Sequence, residues 1–334
     1  MENAPARPRL SIAVELALLC LVALFAGKFA QLHQSRNLVH PPASLERLCA
    51  YTAETPYQNR VLVPTLVSAI DSSGLGAKIG LTLSDSARWI EVACLVALFY
   101  ALRALLSKFL ANRWAPSFWA LVGFYTLPFL YIVPQASPYW YPWDIPAVLF
   151  TTLGVLWIQQ GRWAWYYWVF PFATLNRETT SFLVLIFALT QFGQMKWSTY
   201  AQHLAVQIAI WICIKWLLGF TFAKNPGVGE YYADSLKENW AAVQHPSTWL
   251  TLSMVFGFLW LPLLVFAHYL RGTFARRALL VVPLFFVVSF ALARFDELRI
   301  YGEMVPLVVL GLACGTSVSR EARRARRATA PSVP

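Results

Sequence analysis

Long apolar runs recur along almost the whole chain, and they constrain the fold more than any other feature. A straight helix needs about 20 apolar residues to cross the hydrocarbon core of a membrane, and several runs approach that length. Hydrophobic residues make up 58% of the chain and charged residues 13%, a balance too apolar for a soluble domain. The sequence therefore predicts an all-α, polytopic helical membrane protein with about ten transmembrane helices. The predicted spans are Ser11–Ala30, Trp89–Leu106, Ser117–Pro134, Ile145–Ile158, Trp163–Thr174, Ser181–Phe192, Gln202–Phe222, Trp249–His268, Ala278–Ala293 and Val305–Val318.

Basic residues are spread unevenly among the loops between these spans, and their distribution predicts the topology. Alternate loops are rich in Arg or Lys, whereas nearly all the acids fall in the other loops. Because cytoplasmic loops are enriched in basic residues, we predict that both termini are cytoplasmic. The net charge of +11 is then a topology signal rather than a sign of nucleic-acid binding. One membrane domain is predicted over 1–319, with an interfacial helix in a first external loop at 31–88. A disordered basic cytoplasmic tail follows at 320–334 and contacts anionic lipid.

The segment between the fifth and sixth predicted spans combines an amide, a guanidinium, a carboxylate and two hydroxyls. It reads Leu175-Asn176-Arg177-Glu178-Thr179-Thr180. Each flanking run has only 12 residues, so either both helices are short or the segment lies below the membrane surface. Charge at such a depth is costly unless it faces a partner or a polar cavity. The segment therefore predicts a functional site, with a structural loop or helix cap as the alternative.

Asp144 directly precedes an apolar run and follows a group of aromatic residues. Its carboxylate could accept backbone N–H bonds at a helix start. It could also lie at the membrane surface beside aromatic faces, which suit sugar rings and cations. The two interpretations are compatible. The aromatic residues are Tyr139, Trp140, Tyr141 and Trp143.

Three arginines in the predicted external loops, Arg60, Arg177 and Arg299, are candidate phosphate ligands. A guanidinium matches phosphate oxygens bidentately, although Arg60 could instead be an interfacial arginine that extends to the membrane surface. Several arginines in one external cavity would suit a diphosphate or a lipid-phosphate leaving group. Candidate general bases on the same face are Glu46, Glu54, Glu178, Asp296, Glu297 and Glu303. Motif spacing assigns no metal ligand.

Three blocks resemble segments of bacterial proteins of the C-type (GT-C) glycosyltransferase superfamily, whose polytopic architecture the whole chain also resembles. The blocks are Pro56–Pro64, Trp143–Pro146 and Leu175–Thr179. The resemblance implies a bacterial inner-membrane enzyme that uses a polyprenyl-phosphate sugar donor on the external face. It also implies an acidic base in the first external loop, which here could only be Glu46 or Glu54. That loop lacks the Asp-x-Asp or Asp-Glu pair of better-known members, so a divalent metal cofactor is left open.

These features predict a membrane glycosyltransferase that moves a sugar from a lipid-phosphate donor to a glycan, lipid or protein acceptor. A transporter or flippase of a lipid-linked sugar or other small solute is the alternative, and a non-enzymatic scaffold subunit is the third hypothesis. The predicted catalytic residues are Glu178, Asp144 and Glu54. The predicted substrate-binding residues are Arg60, Arg177, Arg299, Asn176, Tyr57, Tyr139 and Trp143.

Overall fold

The computed structural model describes residues 10–78, 80–133, 139–227, 231–270 and 272–328, with only the backbone described at 75, 77, 231–234 and 320–328. Within these residues the protein is all-helical, and β-structure is limited to two isolated bridges, Leu38–Tyr139 and Thr55–Gly227. The α-helices are α1 Ile12–Arg36, α2 Leu45–Cys49, α3 Leu62–Ser72, α4 Leu75–Lys78, α5 Leu83–Leu106, α6 Ala115–Tyr131, α7 Asp144–Gln160, α8 Trp163–Asn176, α9 Ser181–Gln191, α10 Trp197–Thr221, α11 Tyr231–Ala242, α12 Pro246–Ser253, α13 Trp260–Phe266, α14 Phe274–Leu279, α15 Val281–Leu292 and α16 Val305–Ala328. Short 3-10 helices cover Pro41–Ala43, Tyr57–Asn59, Glu178–Thr180, Val255–Phe258, Ala267–Leu270 and Leu298–Met304.

Five helical stretches in the described part of the chain are long and apolar enough to cross a membrane. They are Ile12–Arg36, Leu83–Leu106, Trp197–Thr221, Phe274–Leu292 and Leu298–Ser319. The predicted count of about ten spans is not confirmed, because several other predicted spans form shorter helices. Helix α8 has 14 residues and α9 has 11. At 1.5 Å per residue, α8 is about 21 Å long, against about 30 Å for the hydrocarbon core.

Helix α16 and the 3-10 helix before it form the centre of the molecule. Every residue from Leu298 to Gly315 is buried, and this stretch packs against α5, α6, α7, α13 and α14. Apart from Arg299 and Glu303, this stretch is apolar on every side, as a helix surrounded by other helices must be. The last predicted span is therefore the centre of the fold, and the residues just before it, Leu298–Met304, are buried as well.

The outer surface of the helices is strongly apolar. Only 11% of the apolar stretch of α10 is buried, and its Trp216 and Phe220 side chains are 69% and 72% exposed. Large contiguous apolar surfaces are rare on soluble monomers. The apolar helices and their exposed faces are therefore consistent with a membrane protein.

The structure departs from the predicted helices at two places. The predicted span Trp249–His268 is interrupted because Phe256 and Gly257 have positive φ angles of 55° and 58°, which an α-helix cannot accommodate. Helix α16 also continues to Ala328, into the segment 320–334 for which a disordered tail was predicted. Its alanine, arginine and glutamate residues are strong helix formers. Residues 329–334 of that predicted tail lie outside the described residues.

The described part of the first predicted external loop contains the α-helices α2, α3 and α4 and two 3-10 helices, and it is tied to two other loops. Its predicted interfacial helix corresponds to α3, which packs against α5 through Val63 and Val67. The Trp140 N–H donates to the Leu38 carbonyl at 3.0 Å, and the Thr55 N–H donates to the Pro226 carbonyl at 2.9 Å. These contacts hold the loop over the ends of α7 and α10. Residues 135–138 of the predicted aromatic loop lie outside the described residues.

Candidate functional site

Charged side chains from five segments converge beside the first turn of α7. The segments are the ends of two 3-10 helices, the start of α7, the α8–α9 connection and α10. The α8–α9 connection is buried among the other four because α8 ends early, at Asn176. The charged residues contributed are Arg60, Asp144, Arg177, Glu178, Lys215, Glu297, Arg299 and Glu303. The predicted central segment is therefore inside the protein rather than in a solvated loop.

Glu178 is held between two cations from distant parts of the chain. The Nε and Nη2 atoms of Arg60 donate to the two carboxylate oxygens of Glu178, with Nε at 3.2 Å from Oε2. The Lys215 Nζ atom lies 3.9 Å from the same Oε2. The Trp211 ring N–H also donates to the Glu178 carbonyl at 3.0 Å. A bidentate arginine contact of this kind fixes both partners in orientation.

Arg177 and Arg299 share one buried carboxylate, that of Asp144. Arg177 Nη1 lies 3.3 Å from Asp144 Oδ1, and Arg299 Nη1 lies 3.6 Å from the same atom. Arg177 Nη1 is also 3.3 Å from an oxygen of Glu303, which accepts a 2.6 Å hydrogen bond from Thr179. Asp144 is fully buried. Charges this deep are tolerated only when they are paired, so the cluster is a single interdependent unit.

Aromatic rings support the two outer arginines. The Arg60 guanidinium lies 4.9 Å from the centre of the Trp143 ring, and that of Arg299 lies 4.2 Å from the Tyr141 ring. The two rings stack on each other at 4.8 Å. Cation–π contacts of this type orient a guanidinium at a modest energetic gain. The Trp143 and Tyr141 rings therefore hold arginines, where the sequence predicted aromatic faces that would stack on a sugar.

A cavity of about 540 Å³ opens beside the charged cluster. Five cations and two acids line it, and these are Arg60, Arg177, Lys215, Arg294, Arg299, Glu178 and Glu297. Asp144 and Glu303 do not line the cavity and lie behind the arginines that they contact. Phe182, Phe285, Val288 and Leu292 contribute an apolar wall. The cavity therefore combines a cationic end with an apolar side.

The predicted site residues divide into three groups by position. Arg60, Arg177, Glu178, Arg299 and Tyr57 line the cavity.

Asp144, Asn176 and Trp143 are buried behind the cavity wall, where the Asn176 side chain donates to the Trp143 carbonyl at 3.0 Å. Asp144 is the first residue of α7 and pairs with arginines, and Trp143 occupies the cap position.

Glu54 and Tyr139 lie away from the cavity lining. Glu54 pairs with Arg47 at 3.5 Å, and the Tyr139 ring packs against the His40 ring at 4.6 Å. The geometry therefore brings most of the predicted set together, but it separates the candidate base of the first loop from the others.

The two acids of the cavity have opposite pKa shifts. Burial opposes ionisation of Glu178, but Arg60, Lys215 and Arg177 outweigh it and hold the pKa of Glu178 well below its usual range. Burial raises the pKa of Glu297, and the neighbouring Arg299 and Arg294 offset this only in part. A general base works best when its pKa is near the working pH. By this criterion Glu297 is a better proton acceptor than Glu178.

Lys215, Glu297 and Glu303 belong to the cluster. Glu297 and Glu303 were candidate general bases but not among the predicted catalytic residues, and Lys215 was not a candidate. Lys215 is a lone charge in an otherwise apolar helix, and this signal alone marks a functional-site candidate. Glu297 and Glu303 gave a weaker signal because an acid beside arginines in a loop is commonly neutralised locally. Glu303 contacts Arg177, which is distant in sequence, whereas Glu297 pairs with Arg299 two residues away.

Glu178→Gln is expected to destabilise the protein by about 1.5–3 kcal/mol at pH 7, because charged hydrogen bonds to Arg60 are lost. The lowered pKa of Glu178 means that its stabilisation is present above the unfolded-state pKa, near 4.3, and is lost as the pH falls towards the folded-state value. The stability deficit of the variant should therefore shrink below about pH 4.

Thermal unfolding in detergent at pH 7, 5 and 3.5 measures this change. Glu238→Gln removes an acid whose side chain is 57% exposed, so it serves as the control and should change stability by less than about 0.5 kcal/mol. A deficit that grows on acidification would contradict the assigned shift.

Comparison with known proteins gives no relative from which a function could be carried over. A scan against protein-family models finds no match, and a search of curated proteins finds no significantly similar sequence. Among the described residues, no group of three or more His, Cys, Asp or Glu side chains is arranged to hold a metal ion. The site is therefore interpreted from its own geometry.

Proposed function

We propose that the protein is a membrane glycosyltransferase that takes a sugar from a polyprenyl-phosphate-type lipid donor. The acceptor is a glycan, a lipid or a protein. The observation that carries the proposal is the cavity with a cationic end and an apolar side. A lipid phosphate has the same two-part chemistry, with an anionic head and a hydrocarbon tail.

The cationic end supports phosphate binding. Three guanidinium groups and one ammonium group, from Arg60, Arg177, Arg299 and Lys215, line this part of the cavity. Arginine is favoured wherever phosphate oxygens are bound bidentately. The same cations would stabilise the negative charge that develops on a departing phosphate.

The apolar side supports binding of the lipid tail. Phe182 and Phe285 pack against each other with ring centres 4.6 Å apart, and Val288 and Leu292 continue this wall along α15. Each buried methylene contributes about 0.8 kcal/mol, so a few isoprene units would contribute several kcal/mol. A ligand with both parts would use the whole cavity.

The proposed reaction breaks the bond between the sugar anomeric carbon and the phosphate oxygen, and the electron pair leaves with the phosphate. The acceptor hydroxyl oxygen forms the new bond to the anomeric carbon, and its proton passes to a carboxylate. Of the two acids lining the cavity, Glu297 suits this role better because its pKa is raised. Glu178 then orients Arg60, and Asp144 orients Arg177 and Arg299.

The finer assignments belong to the same proposal. They are membership of the GT-C superfamily, about ten spans with both termini cytoplasmic, and an active face on the outside of a bacterial inner membrane. The proposed external turn at Asn176–Thr180 requires that α8 and α9 count as two separate crossings, so that α8 begins on the cytoplasmic side and α9 returns to it. Labelling of single cysteines at Asp71 and Gly161 would measure the sidedness of the loops.

Glu297→Gln is expected to lower the amount of transferred sugar by about 100-fold or more, because a general base contributes this much to rate. The measurement is mass spectrometry of surface glycans from cells whose own copy is replaced by the variant at matched expression. Asp71→Asn changes an exposed acid remote from the cavity and serves as the matched control. Glu54→Gln tests the base that the family resemblance implies.

If the Glu297→Gln strain has wild-type glycans and the Glu54→Gln strain loses the transferred sugar, the general base is Glu54 of the first loop. Wild-type glycans in both strains and in an Arg60→Gln strain would contradict the proposal that the protein is a glycosyltransferase. The transport hypothesis remains the alternative. Flux of a lipid-linked sugar through liposomes, without covalent change of the substrate, would favour it over transfer.

A further inference from the structure

We infer that the cavity contains two adjacent anion subsites and that the head group of its ligand is a diphosphate rather than a single phosphate. This inference rests on the proposed function, since it specifies the leaving group of the lipid donor. The first subsite consists of Arg60 and Lys215, and the second of Arg177 and Arg299. All four side chains line the cavity.

Each subsite is organised by one carboxylate that its two cations share. Arg60 and Lys215 both contact Glu178, and Arg177 and Arg299 both contact the same oxygen of Asp144. A shared counter-ion holds two cations close together without a ligand, which is the arrangement that one phosphoryl group requires. The cluster is thus two cation pairs rather than one evenly spread patch.

The second subsite has hydrogen-bonding capacity that the protein leaves unused. Arg177 is 5% exposed, and its Nε atom has no hydrogen-bond partner among the described residues. Buried polar atoms are usually paired, so an unpaired donor beside a cavity indicates that a bound group completes it. A phosphoryl oxygen would accept from the Arg177 Nε–H.

The two subsites lie side by side. Arg177 of one and Glu178 of the other are consecutive residues, so their Cα atoms are about 3.8 Å apart. Arg60 lies over Trp143, Arg299 lies over Tyr141, and these two rings stack directly. Adjacent cation pairs match the adjacent phosphoryl groups of a diphosphate. A single phosphate would occupy one pair and leave the other with only carboxylates of the protein.

The charges around the cavity favour the more highly charged ligand. Cations outnumber acids by five to two in the lining. Asp144 and Glu303 do balance the positive charge of Arg177 and Arg299, but these two acids lie behind the arginines. An anion entering the cavity therefore meets guanidinium and ammonium groups before it meets these acids.

The test compares geranyl diphosphate, geranyl phosphate and inorganic diphosphate as probes of the full chain purified in detergent, by calorimetric titration. Geranyl diphosphate should bind about tenfold more tightly than geranyl phosphate, which corresponds to about 1.4 kcal/mol. It should also bind more tightly than inorganic diphosphate, because only the geranyl compound contacts the apolar wall.

Lys215→Gln should weaken geranyl diphosphate binding about tenfold and change geranyl phosphate binding by less than about threefold. Lys224→Gln removes an exposed lysine outside the cavity lining and is the charge-matched control. If Lys215→Gln does not fold, Arg60→Lys provides the same test, because Arg60 belongs to the same subsite and the change keeps the charge but loses the guanidinium fork.

Equal affinity for the two geranyl compounds, or an equal loss of both in Lys215→Gln, would overturn the two-subsite inference and leave the proposed function standing. Inorganic diphosphate that binds as tightly as geranyl diphosphate would support the two subsites but contradict a lipid donor. Binding of none of the three probes would contradict both.

Discussion

Arg177→Met is expected to lower the free energy of unfolding by about 3–5 kcal/mol, the range measured when one partner of a buried ion pair is removed. Arg177 contacts both Asp144 and Glu303, at 3.3 Å each. Asp144 is fully buried and Glu303 is 3% exposed, so neither carboxylate can turn to solvent. Methionine preserves much of the side-chain volume, so the loss reports charge rather than packing. Denaturant unfolding in detergent micelles measures it.

Two further variants separate this effect from a general loss of a positive charge. Arg294→Met removes a 40% exposed arginine that also lines the cavity, and it should cost less than about 1 kcal/mol. Asp144→Asn combined with Arg177→Met should recover part of the stability, because it neutralises one of the stranded acids. An Arg177→Met protein as stable as Arg294→Met would show that the cluster is not interdependent.

The central segment was the most predictable part of the site. An Asn-Arg-Glu sequence between two 12-residue apolar runs has to find partners, since isolated charge is costly in an apolar setting. The structure gives both short helices and the partners, with Arg177 on Asp144 and Glu178 on Arg60. The physical argument from depth and charge thus predicted a constellation that joins distant parts of the chain.

The choice of partners could not be predicted from the sequence. Arginines and acids alternate in the last predicted external loop, and local neutralisation would explain that loop equally well. Only the packed position of the 3-10 helix Leu298–Met304 shows that Glu303 reaches Arg177 and that Arg299 reaches Asp144. The aromatic loop was likewise ambiguous, because an aromatic face attracts a sugar or a guanidinium by its own chemistry. In the structure, Arg60 and Arg299 cover those faces.

Helix lengths were predicted less well than helix positions. Most predicted spans coincide with helices, but composition alone does not show where an apolar run bends. Gly257 lies against Tyr125 and Phe129, where a Cβ atom would come within 3 Å of either ring. This close approach accompanies the break in the predicted eighth span. The number of helices that cross the membrane therefore cannot be counted from apolar runs.

Gly302→Ala is expected to destabilise the protein by about 3 kcal/mol, at the upper end of what overpacking costs. A Cβ atom at this position would lie 1.8 Å from the Tyr131 hydroxyl oxygen and 2.7 Å from the ring carbon that carries it. Gly219→Ala, in α10, meets no atom within 4 Å and is the matched control. It should leave the free energy of unfolding within about 0.5 kcal/mol of wild type.

A double-mutant cycle with Tyr131→Phe shows whether this contact is the cause. The Tyr131 hydroxyl is buried and has no hydrogen-bond partner among the described residues, so its removal alone should be nearly neutral. Combined with Gly302→Ala, it should recover part of the lost stability, since the closest clash disappears while the ring carbon remains. If the effects of Gly302→Ala and Tyr131→Phe on the free energy of unfolding are additive, the contact between these two residues is not the cause of the lost stability. Because Gly302 lies between Arg299 and Glu303, Gly302→Ala should also weaken geranyl diphosphate binding. Adding Tyr131→Phe should then restore part of this binding together with stability, which would link the packing of this turn to the arginine cluster.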